Sequence, residues 1–221
     1  SEALSVAAFY GRLEMVQLLI RKGADINALD EEYLYGSVLQ AASASYNDNP
    51  SVVRLLIDSG VDVNLQGGRY GNALQAASAT GNDNIVELLI QNGAQVNAQG
   101  GHYGNALHAA STYGFYNIAE LLIKNGADPN SIGGEYGNAL HAASFWGHHK
   151  IIQLFIANGV DLNTPGGKYG SALHAASYLN RKNVVDLLIG NGADVNARSG
   201  KHGTPVQAAL IGGHGDIVKL L

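Results

Sequence analysis

Apolar residues recur along this chain in pairs of short stretches that end near glycine. Within residues 104–132, an alanine-rich stretch runs from Ala106 to about Thr112 and stops before Gly114. A second stretch, from about Asn117 to Asn125, places isoleucine and leucine at positions i, i+3 and i+4. That spacing puts the apolar side chains on one face of a helix. The pattern therefore predicts two short helices joined by a glycine turn.

This two-helix pattern returns at a nearly fixed interval, because a block reading Tyr-Gly-Asn-Ala-Leu-(His/Gln)-Ala-Ala-Ser is repeated with small changes. The glycine of the block stands at Gly36, Gly71, Gly104, Gly137, Gly170 and Gly203. Its spacing is 35 residues once and 33 residues thereafter. A period of this length marks stacked repeats that bury their apolar faces against one another. Function in such an array lies on the long surface that the repeats share, so binding is the expected activity.

Polar residues and glycine mark the ends of the helices. Asn105 precedes the first helix of its repeat as an N-cap. Its equivalents are all capping residues: Ser37, Asn72, Asn138, Ser171 and Thr204. Gly126 stands where a left-handed C-cap belongs, and the pair Gly133-Gly134 marks a tight turn. Each unit is therefore a helix, a turn, a second helix and a protruding β-turn, which we call the finger.

A few irregularities interrupt the repeat. Two extra residues fall in the first finger, around Asp30–Tyr35, and two more fall between the helices of the second repeat, around Tyr46–Pro50. Insertions in repeat arrays map to loops, so we interpret both as local additions. Asn180 replaces the glycine between the helices of the sixth repeat. The adjacent pair His148 and His149 falls in another such turn, which we expect to be solvated.

These features resemble the ankyrin repeat. The family pattern Thr-Pro-Leu-His-x-Ala-Ala is matched in register by Thr204–Ala209 with two conservative departures, and elsewhere Thr-Pro is replaced, most often by Asn-Ala. The family ending Gly-Ala-Asp-x-Asn occurs at Gly23–Asn27, Gly126–Asn130 and Gly192–Asn196. The resemblance implies an all-α ankyrin-repeat solenoid of helix-turn-helix units with β-turn fingers, about seven repeats in number, with both ends of the array truncated. The chain is then expected to be a single domain, 1–221, with repeats at about 1–29, 30–66, 67–99, 100–132, 133–165, 166–198 and 199–221.

Composition narrows the class of partner. The chain carries 18 acidic and 13 basic residues, a net charge of −5, whereas nucleic-acid binding relies on clustered lysine and arginine. No apolar stretch approaches the length of a membrane span, and no basic segment followed by an apolar one marks a signal peptide. Cysteine is absent, which fits a reducing compartment. We therefore expect a protein or peptide partner, no nucleic acid, no membrane, and an intracellular, cytoplasmic location.

Packing explains the candidate chemical groups better than catalysis or metal binding does. His108, His141 and His174 stand one per repeat, too far apart to surround one metal ion, and glutamine replaces them in other repeats. A nucleophile needs a base, an orienting third group and oxyanion donors, whereas the His-x-x-Ser spacing, as in His141 and Ser144, returns from repeat to repeat and therefore indicates packing. Gly166-Gly167-Lys168 lacks the serine or threonine of a phosphate loop. We predict a non-enzymatic protein with no cofactor, no metal site and no small-molecule substrate.

Columns that vary from repeat to repeat without a structural reason indicate the recognition surface. One such column precedes the fixed tyrosine of each finger, and two adjacent columns end each first helix. In the ankyrin family the matching positions lie at the finger tips and on the concave face, where they contact partners. The fixed tyrosine column itself is interpreted as a packing ladder. The predicted partner-binding residues are Arg69, His102, Tyr113, Glu135, Phe145, Trp146, Lys168, Tyr178 and Leu179.

The sequence leaves other functions open. Its Gly-Gly-x-Tyr-Gly-Asn-Ala-Leu style looks like ankyrin arrays of filamentous fungi. Those arrays often follow an NTPase domain of the NACHT type or a nucleoside-phosphorylase-like domain. The chain would then be the scaffolding or regulatory segment of a larger enzyme or signalling protein. A structural spacer that stacks through its ends is a further alternative, and asparagines matching Asn97, Asn130 and Asn196 can be hydroxylated in the family.

Overall fold

The computed structural model describes residues 2–29 and 35–221 of the chain. Within this part, fourteen α-helices follow one another in seven pairs, no strand forms, and no helix is long and apolar enough to cross a bilayer. The all-α class and the number of repeats are therefore confirmed. Most of the first insertion, Asp30–Leu34, lies outside the described residues. The helices are α1 (Glu2–Phe9), α2 (Leu13–Arg21), α3 (Val38–Ser43), α4 (Ser51–Asp58), α5 (Ala73–Thr80), α6 (Asp83–Gln91), α7 (Ala106–Tyr113), α8 (Tyr116–Lys124), α9 (Ala139–Trp146), α10 (His149–Ala157), α11 (Ala172–Tyr178), α12 (Lys182–Gly190), α13 (Pro205–Gly212) and α14 (Gly215–Leu220).

The chain forms two compact units. Unit 1 comprises residues 1–110 and 117–127, and unit 2 comprises residues 111–116 and 128–221. The boundary falls within the fourth helix pair, so the last three residues of α7 belong to unit 2 while the rest of that helix belongs to unit 1. The organisation of the chain as a single domain stays a prediction.

In unit 1, helices pack against their counterparts in the next repeat. The first helices α1, α3 and α5 contact one another in that order, and α2 contacts α4. Alanine makes the close approach of the first helices feasible, and Ala41 and Ala76 are fully buried. The second helices contribute larger apolar side chains, such as Leu56 and Ile85, which are also fully buried. The core is therefore a layer between neighbouring helices that continues from repeat to repeat.

Unit 2 repeats this arrangement. The first helices α9, α11 and α13 contact one another in sequence, and so do the second helices α10, α12 and α14. Ala143 and Ala176 are fully buried on the first helices. Phe155 is fully buried at a position where the neighbouring repeats have leucine. Burying an apolar side chain of this size contributes about 1.5–3 kcal/mol, so the second helices hold much of the stability of the unit.

Several turns need a left-handed backbone, and glycine supplies it. Gly126, at the end of α8, has a φ of 87°, as predicted for a C-cap. At the base of the fingers the close approach of two turns adds a second requirement. A Cβ on Gly137, whose φ is 96°, would lie 2.5 Å from the Gly167 nitrogen. Asn180 replaces glycine in its turn and adopts a φ of 57°, a conformation in which asparagine is enriched.

The predicted N-caps are confirmed. The side-chain oxygen accepts a hydrogen bond from the N–H three residues later in five of them: Ser37, Asn72, Asn105, Asn138 and Thr204. At the sixth, Ser171, the hydroxyl oxygen lies 2.8 Å from Nδ1 of His174. Each of the first five caps satisfies a backbone donor that has no partner inside its helix.

The insertion around Tyr46–Pro50 has a structural role that the sequence did not suggest. The Asp48 carboxylate accepts hydrogen bonds from the backbone N–H groups of Asn84 and Ile85, at 3.2 and 3.3 Å. It also accepts one from the Asn84 side-chain amide at 2.7 Å. These donors lie in the first turn of α6, where backbone N–H groups lack partners within the helix. A loop of one repeat therefore caps a helix of the next, and the insertion is more than a local addition.

Candidate functional site

Side chains of the fixed histidine and glutamine column join several first helices to the finger that follows. His174 Nε2 donates to the Gly203 carbonyl at 2.9 Å, and His141 Nε2 donates to the Thr164 carbonyl at 3.0 Å. Gln40, in the same column, donates its side-chain N–H to a carbonyl of the next finger, also at 3.0 Å. Imidazole and amide N–H groups thus perform the same task. The hydrogen-bonding role predicted for this column is confirmed.

The His-x-x-Ser spacing does not produce a nucleophile and base in contact at His174 and Ser177. Both ring nitrogens of His174 are engaged elsewhere, Nε2 with Gly203 and Nδ1 with Ser171. The Ser177 hydroxyl is buried and has no hydrogen-bond partner among the described residues. A serine nucleophile needs a base within hydrogen-bond reach. In the same part of the chain, no three His, Asp or Glu side chains are grouped so as to hold a metal ion.

The residue that precedes each second helix also ties neighbouring repeats together in unit 2. His148 Nε2 donates to the Thr112 carbonyl at 3.1 Å, and burial lowers the pKa of His148. Arg181 Nε donates to the Phe145 carbonyl at 3.0 Å. The expectation of a solvated turn is therefore wrong for His148, because its ring fills the gap between two repeats. It holds for the exposed His149.

In unit 1 the fixed tyrosines form the predicted packing ladder. The Tyr35 and Tyr70 rings stack at 6.0 Å between centroids, and Tyr70 and Tyr103 stack at 6.3 Å. Burial is the main cause that raises the pKa of Tyr35 to about 12. Two of the predicted partner residues, Arg69 and His102, are exposed beside the ladder, and the His102 N–H donates to the Arg69 carbonyl at 2.8 Å. These two residues share one small surface on neighbouring fingers.

In unit 2 two further rings enter the ladder. Phe145 lies between Tyr136 and Tyr169, with ring centroids 5.1 and 5.2 Å away. Tyr178 lies 5.4 Å from Tyr169 and stacks on His202 at 4.8 Å. The cavity bounded by Tyr136, Phe145 and Tyr169 measures only about 10 Å³. Phe145 and Tyr178, both predicted as partner residues, are therefore half-buried members of a closely packed stack.

The more exposed residues of the predicted surface gather around Tyr136. The Trp146 ring meets Phe145 edge to face at 5.2 Å. Burial raises the pKa of Tyr136, and a hydrogen bond with the Trp146 side chain opposes that rise. Tyr113 and Glu135 also lie close enough to Tyr136 to raise its pKa. Trp146 remains 44% exposed and Tyr113 48% exposed. We call the following residues the aromatic cluster: Tyr113, Tyr136, Phe145, Trp146 and Tyr178.

A shallow cleft opens beside the aromatic cluster. It has a volume of about 280 Å³, and its lining includes Trp146, Asn180, Arg181 and Lys182. One wall is therefore an indole ring and the other carries two basic side chains. Leu179, the remaining predicted residue of this region, is half-buried directly after α11.

Two lysines flank the stack at the finger tips. Lys168 Nζ lies 5.7 Å from the centroid of the Tyr169 ring, and Lys201 Nζ lies 5.8 Å from the centroid of the same ring. Lys168 was predicted as a partner residue and Lys201 was not, although both occupy the same variable column. The column alone could not show that the two side chains converge on one ring.

A second exposed aromatic group, which the sequence did not single out, lies in the first two repeats of unit 1. Phe9 contacts the rings of Tyr10, Tyr35 and Tyr46, with centroid distances of 5.0–5.2 Å. Tyr10 is 60% exposed and Tyr46 is 83% exposed. Phe9 and Tyr10 stand in the variable columns that end each first helix, so that signal was present. Tyr46 lies in the insertion, for which other repeats offer no counterpart to compare.

Comparison with known proteins identifies the repeat. The family model described as "Ankyrin repeats (3 copies)" matches residues 38–133 and 132–199, and the one described as "Ankyrin repeat" matches residues 3–31. "Ankyrin repeat and SAM domain-containing protein 6" of Rattus norvegicus is 38% identical over 63 residues, which are 28% of this chain and 7% of that protein. "Putative ankyrin repeat-containing protein" of Treponema pallidum (strain Nichols) is 35% identical over 74 residues, 34% of this chain and 24% of that protein. The match thus spans less than a quarter of either relative.

A solved structure has the same fold. The human ASB11 ankyrin repeat domain matches with a TM-score of 0.83 and 22% sequence identity, over 98% of this chain and 96% of that chain. At this identity the likeness concerns the fold alone. Because the family models match most of the chain, the chain belongs to the ankyrin repeat family.

Proposed function

We propose that this chain is a non-enzymatic protein-interaction module and that the aromatic cluster of unit 2 is the centre of its binding surface. The partner is a protein or a peptide segment, as is general for ankyrin repeat domains. Tyrosine and tryptophan are among the residues most enriched at binding hot spots, and such hot spots lie near the centre of an interface. The absence of cysteine favours a reducing compartment, and we place the protein in the cytoplasm on that basis.

The observation that carries this proposal is the state of Trp146. Its ring meets Phe145 edge to face and lies beside Tyr136, yet almost half of the side chain is exposed. A large ring that is already fixed loses little conformational freedom when a partner covers it. Most of the free energy gained by burying the ring against a partner therefore contributes to the affinity. Tyr113, similarly exposed, offers a second anchor in the same unit.

Charged residues form the rim of the proposed surface. Glu135 and Lys168 are exposed on the finger tips of unit 2, and Leu179 continues the surface beyond Tyr178. Rim charges change the rate of association and its salt dependence more than they change the affinity. Arg69 and His102 belong to unit 1, and we propose them as a separate contact for the same class of partner.

The test compares two exposed aromatic residues in the full chain. Peptides are selected from a displayed random library against the wild-type chain, and their dissociation constants are then measured for Trp146→Ala and Tyr46→Ala. We expect Trp146→Ala to weaken binding by about 2 kcal/mol, or roughly thirtyfold. The Tyr46→Ala control removes a more exposed ring from the other unit and is expected to leave affinity unchanged.

The opposite result for the two variants would assign the binding surface to unit 1. If Tyr46→Ala abolishes binding and Trp146→Ala does not, the aromatic group around Phe9 is the recognition surface. Thermal unfolding of both variants checks that each retains its fold. A chain that selects no peptide contradicts the proposed function itself.

A further inference from the structure

We infer that Lys168 and Lys201, which we call the lysine pair, form a subsite for an acidic peptide segment with carboxylates at positions i and i+2. This inference rests on the proposed function and names the chemistry of the partner. Neither residue of the pair is buried, and both extend from successive finger tips of unit 2.

The lysine pair has converging geometry. Both Nζ atoms lie within 6 Å of the centroid of one ring, that of Tyr169, at 5.7 and 5.8 Å. An aromatic ring attracts a cation over its face, which holds each flexible side chain near a defined position. Two residues from different repeats are thereby placed around one ring. The ring contact is favourable for each lysine.

The lysine pair lacks a counter-ion. The ion pairs formed by lysine within the described residues are Lys124 with Glu120 and Lys219 with Asp216. Neither Lys168 nor Lys201 has a carboxylate within ion-pair distance in that part of the chain. An external carboxylate can therefore pair with each ammonium group without displacing a carboxylate of the chain. The chain thus presents a paired positive site although its net charge is −5.

Charge is distributed unevenly between the units. Unit 1 contains 12 acidic and 6 basic residues, and unit 2 contains 6 acidic and 7 basic residues. An acidic ligand is therefore attracted to unit 2 in preference to unit 1. Nucleic acid is a poorer fit, because phosphate backbones are bound by extended stripes of lysine and arginine, and this site offers one pair.

The spacing of a peptide fits the lysine pair. Residues i and i+2 of an extended strand point to the same side and are separated by about 7 Å. Two ammonium groups that both lie within 6 Å of one ring centre can each receive one of these carboxylates. The Tyr178 and His202 rings, stacked at 4.8 Å beside Tyr169, form a floor for the peptide backbone between the two carboxylate residues.

The experiment uses the displayed peptide library and the full chain. We expect peptides selected by the wild-type chain to carry Asp or Glu at positions i and i+2. Their affinity is then measured by fluorescence polarisation with Lys168→Gln/Lys201→Gln and with the matched control Lys150→Gln/Lys219→Gln, which loses the same charge from exposed sites elsewhere in unit 2. We expect about tenfold weaker binding for the first variant and no change for the control. Raising the salt concentration should weaken wild-type binding more than that of the first variant.

Each other result overturns the inference in a recognisable way. Acidic peptides that bind both double variants equally well would exclude the lysine pair as their site. Selected peptides without acidic residues that still depend on Trp146 would leave the proposed function intact and refute the acidic partner. A single-stranded oligothymidylate that competes as well as the peptide would assign the site to phosphate. If no peptide is selected, the proposed function and this inference both fail.

Discussion

The two units are built from the same repeat, yet they fill the space between fingers and first helices differently. In the second and third repeats of unit 1 the column that follows the buried serine holds alanine, at Ala44 and Ala79, so the fixed tyrosines stack directly on one another. Only in the first repeat of that unit does this column hold a ring, Phe9, which contacts Tyr35. In unit 2 the same column holds Phe145 and Tyr178, and their rings enter the ladder. A column whose residue type the fold does not fix thus contributes side chains both to packing and to the exposed surface. Variation between repeats therefore does not by itself separate recognition residues from core residues.

The fixed tasks of the repeat are carried out by different side chains in the two units. Before α6 in unit 1, the Asn82 side-chain amide donates to the Ser43 carbonyl at 2.8 Å. Before α10 in unit 2, His148 reaches the Thr112 carbonyl of the preceding repeat, and before α12 Arg181 reaches the Phe145 carbonyl. What is retained is a donor of the right reach, which amide, imidazole and guanidinium groups all supply. The choice of histidine gives unit 2 a sensitivity to pH.

The largest effect is expected where both units depend on the same backbone constraint. A Cβ on Gly36 in unit 1, or on Gly137 in unit 2, would lie 2.5 Å from a glycine nitrogen of the next finger, and both residues have positive φ. We expect Gly36→Ala and Gly137→Ala each to lower the free energy of unfolding by about 3 kcal/mol. Urea unfolding measures this cost. As a control, Gly126→Ala has positive φ but open space around the new methyl group and should cost about 1 kcal/mol. Unequal costs at Gly36 and Gly137 would show that the finger contact differs between the units.

A smaller effect is expected from returning unit 2 to the pattern of unit 1. Phe145→Ala places alanine where unit 1 has Ala44 and Ala79 and removes the ring between Tyr136 and Tyr169. Because Phe145 is half-buried, we expect a loss of about 2 kcal/mol in stability, less than for a fully buried phenylalanine. The near-ultraviolet circular dichroism should weaken as well. As a control, Tyr46→Ala removes an exposed ring and should change the free energy of unfolding by less than about 0.5 kcal/mol. If Tyr46→Ala and Phe145→Ala destabilise the chain equally, the packing role of Phe145 is refuted.

Acidification should destabilise unit 2 through its histidines. Burial lowers the pKa of His148, His174 and His202, all in unit 2. Since the folded unit holds these rings neutral, the unfolded chain binds protons more readily below the ordinary histidine pKa of about 6.5. The stability they contribute is complete above that value and is lost as the pH falls towards the lowered values of the folded unit. Hydrogen exchange corrected for intrinsic rates should show unit 2 losing protection between pH 7 and pH 5.

A single substitution isolates this pH effect. His174→Gln keeps a side-chain N–H that can donate to the Gly203 carbonyl, just as the Gln40 amide donates to a carbonyl of the finger that follows it. The substitution also removes one titrating ring. We expect the variant to unfold at nearly the wild-type urea concentration at pH 7 and to depend less on pH below 6.5. An unchanged pH dependence would assign the effect to the other histidines.

The smallest effect is expected from a column that both units share. Ser78 in unit 1 and Ser144 in unit 2 are buried, and their hydroxyls have no hydrogen-bond partner among the described residues. Burying an unpaired hydroxyl is unfavourable, so Ser78→Ala and Ser144→Ala should each raise the free energy of unfolding by up to about 1 kcal/mol. Thermal unfolding measures the gain. A decrease in stability for either variant would mean that the serine hydroxyl forms a hydrogen bond in the folded chain.

The sequence by itself determined the repeat, its period, its helix pairs and its caps. These features depend on residues close together along the chain, such as Asn138 three residues before the N–H that it caps, so a local pattern is sufficient to predict them. The hydrogen-bonding role of the histidine and glutamine column could be predicted by comparing repeats. Histidine and glutamine replace each other in this column because both side chains can donate an N–H.

Tertiary structure alone decided how the variable residues meet. Phe145 contacts Tyr169, and Lys168 and Lys201 converge on that same ring, although these residues belong to different repeats. Such contacts depend on which side chain occupies the space between two fingers. The position of a residue within its repeat does not show which side chain that will be. The capping of α6 by Asp48 was hidden for the same reason, since an insertion has no counterpart in the other repeats. The sequence therefore specified the scaffold, whereas packing between repeats decided which of its variable residues are buried and which remain at the surface.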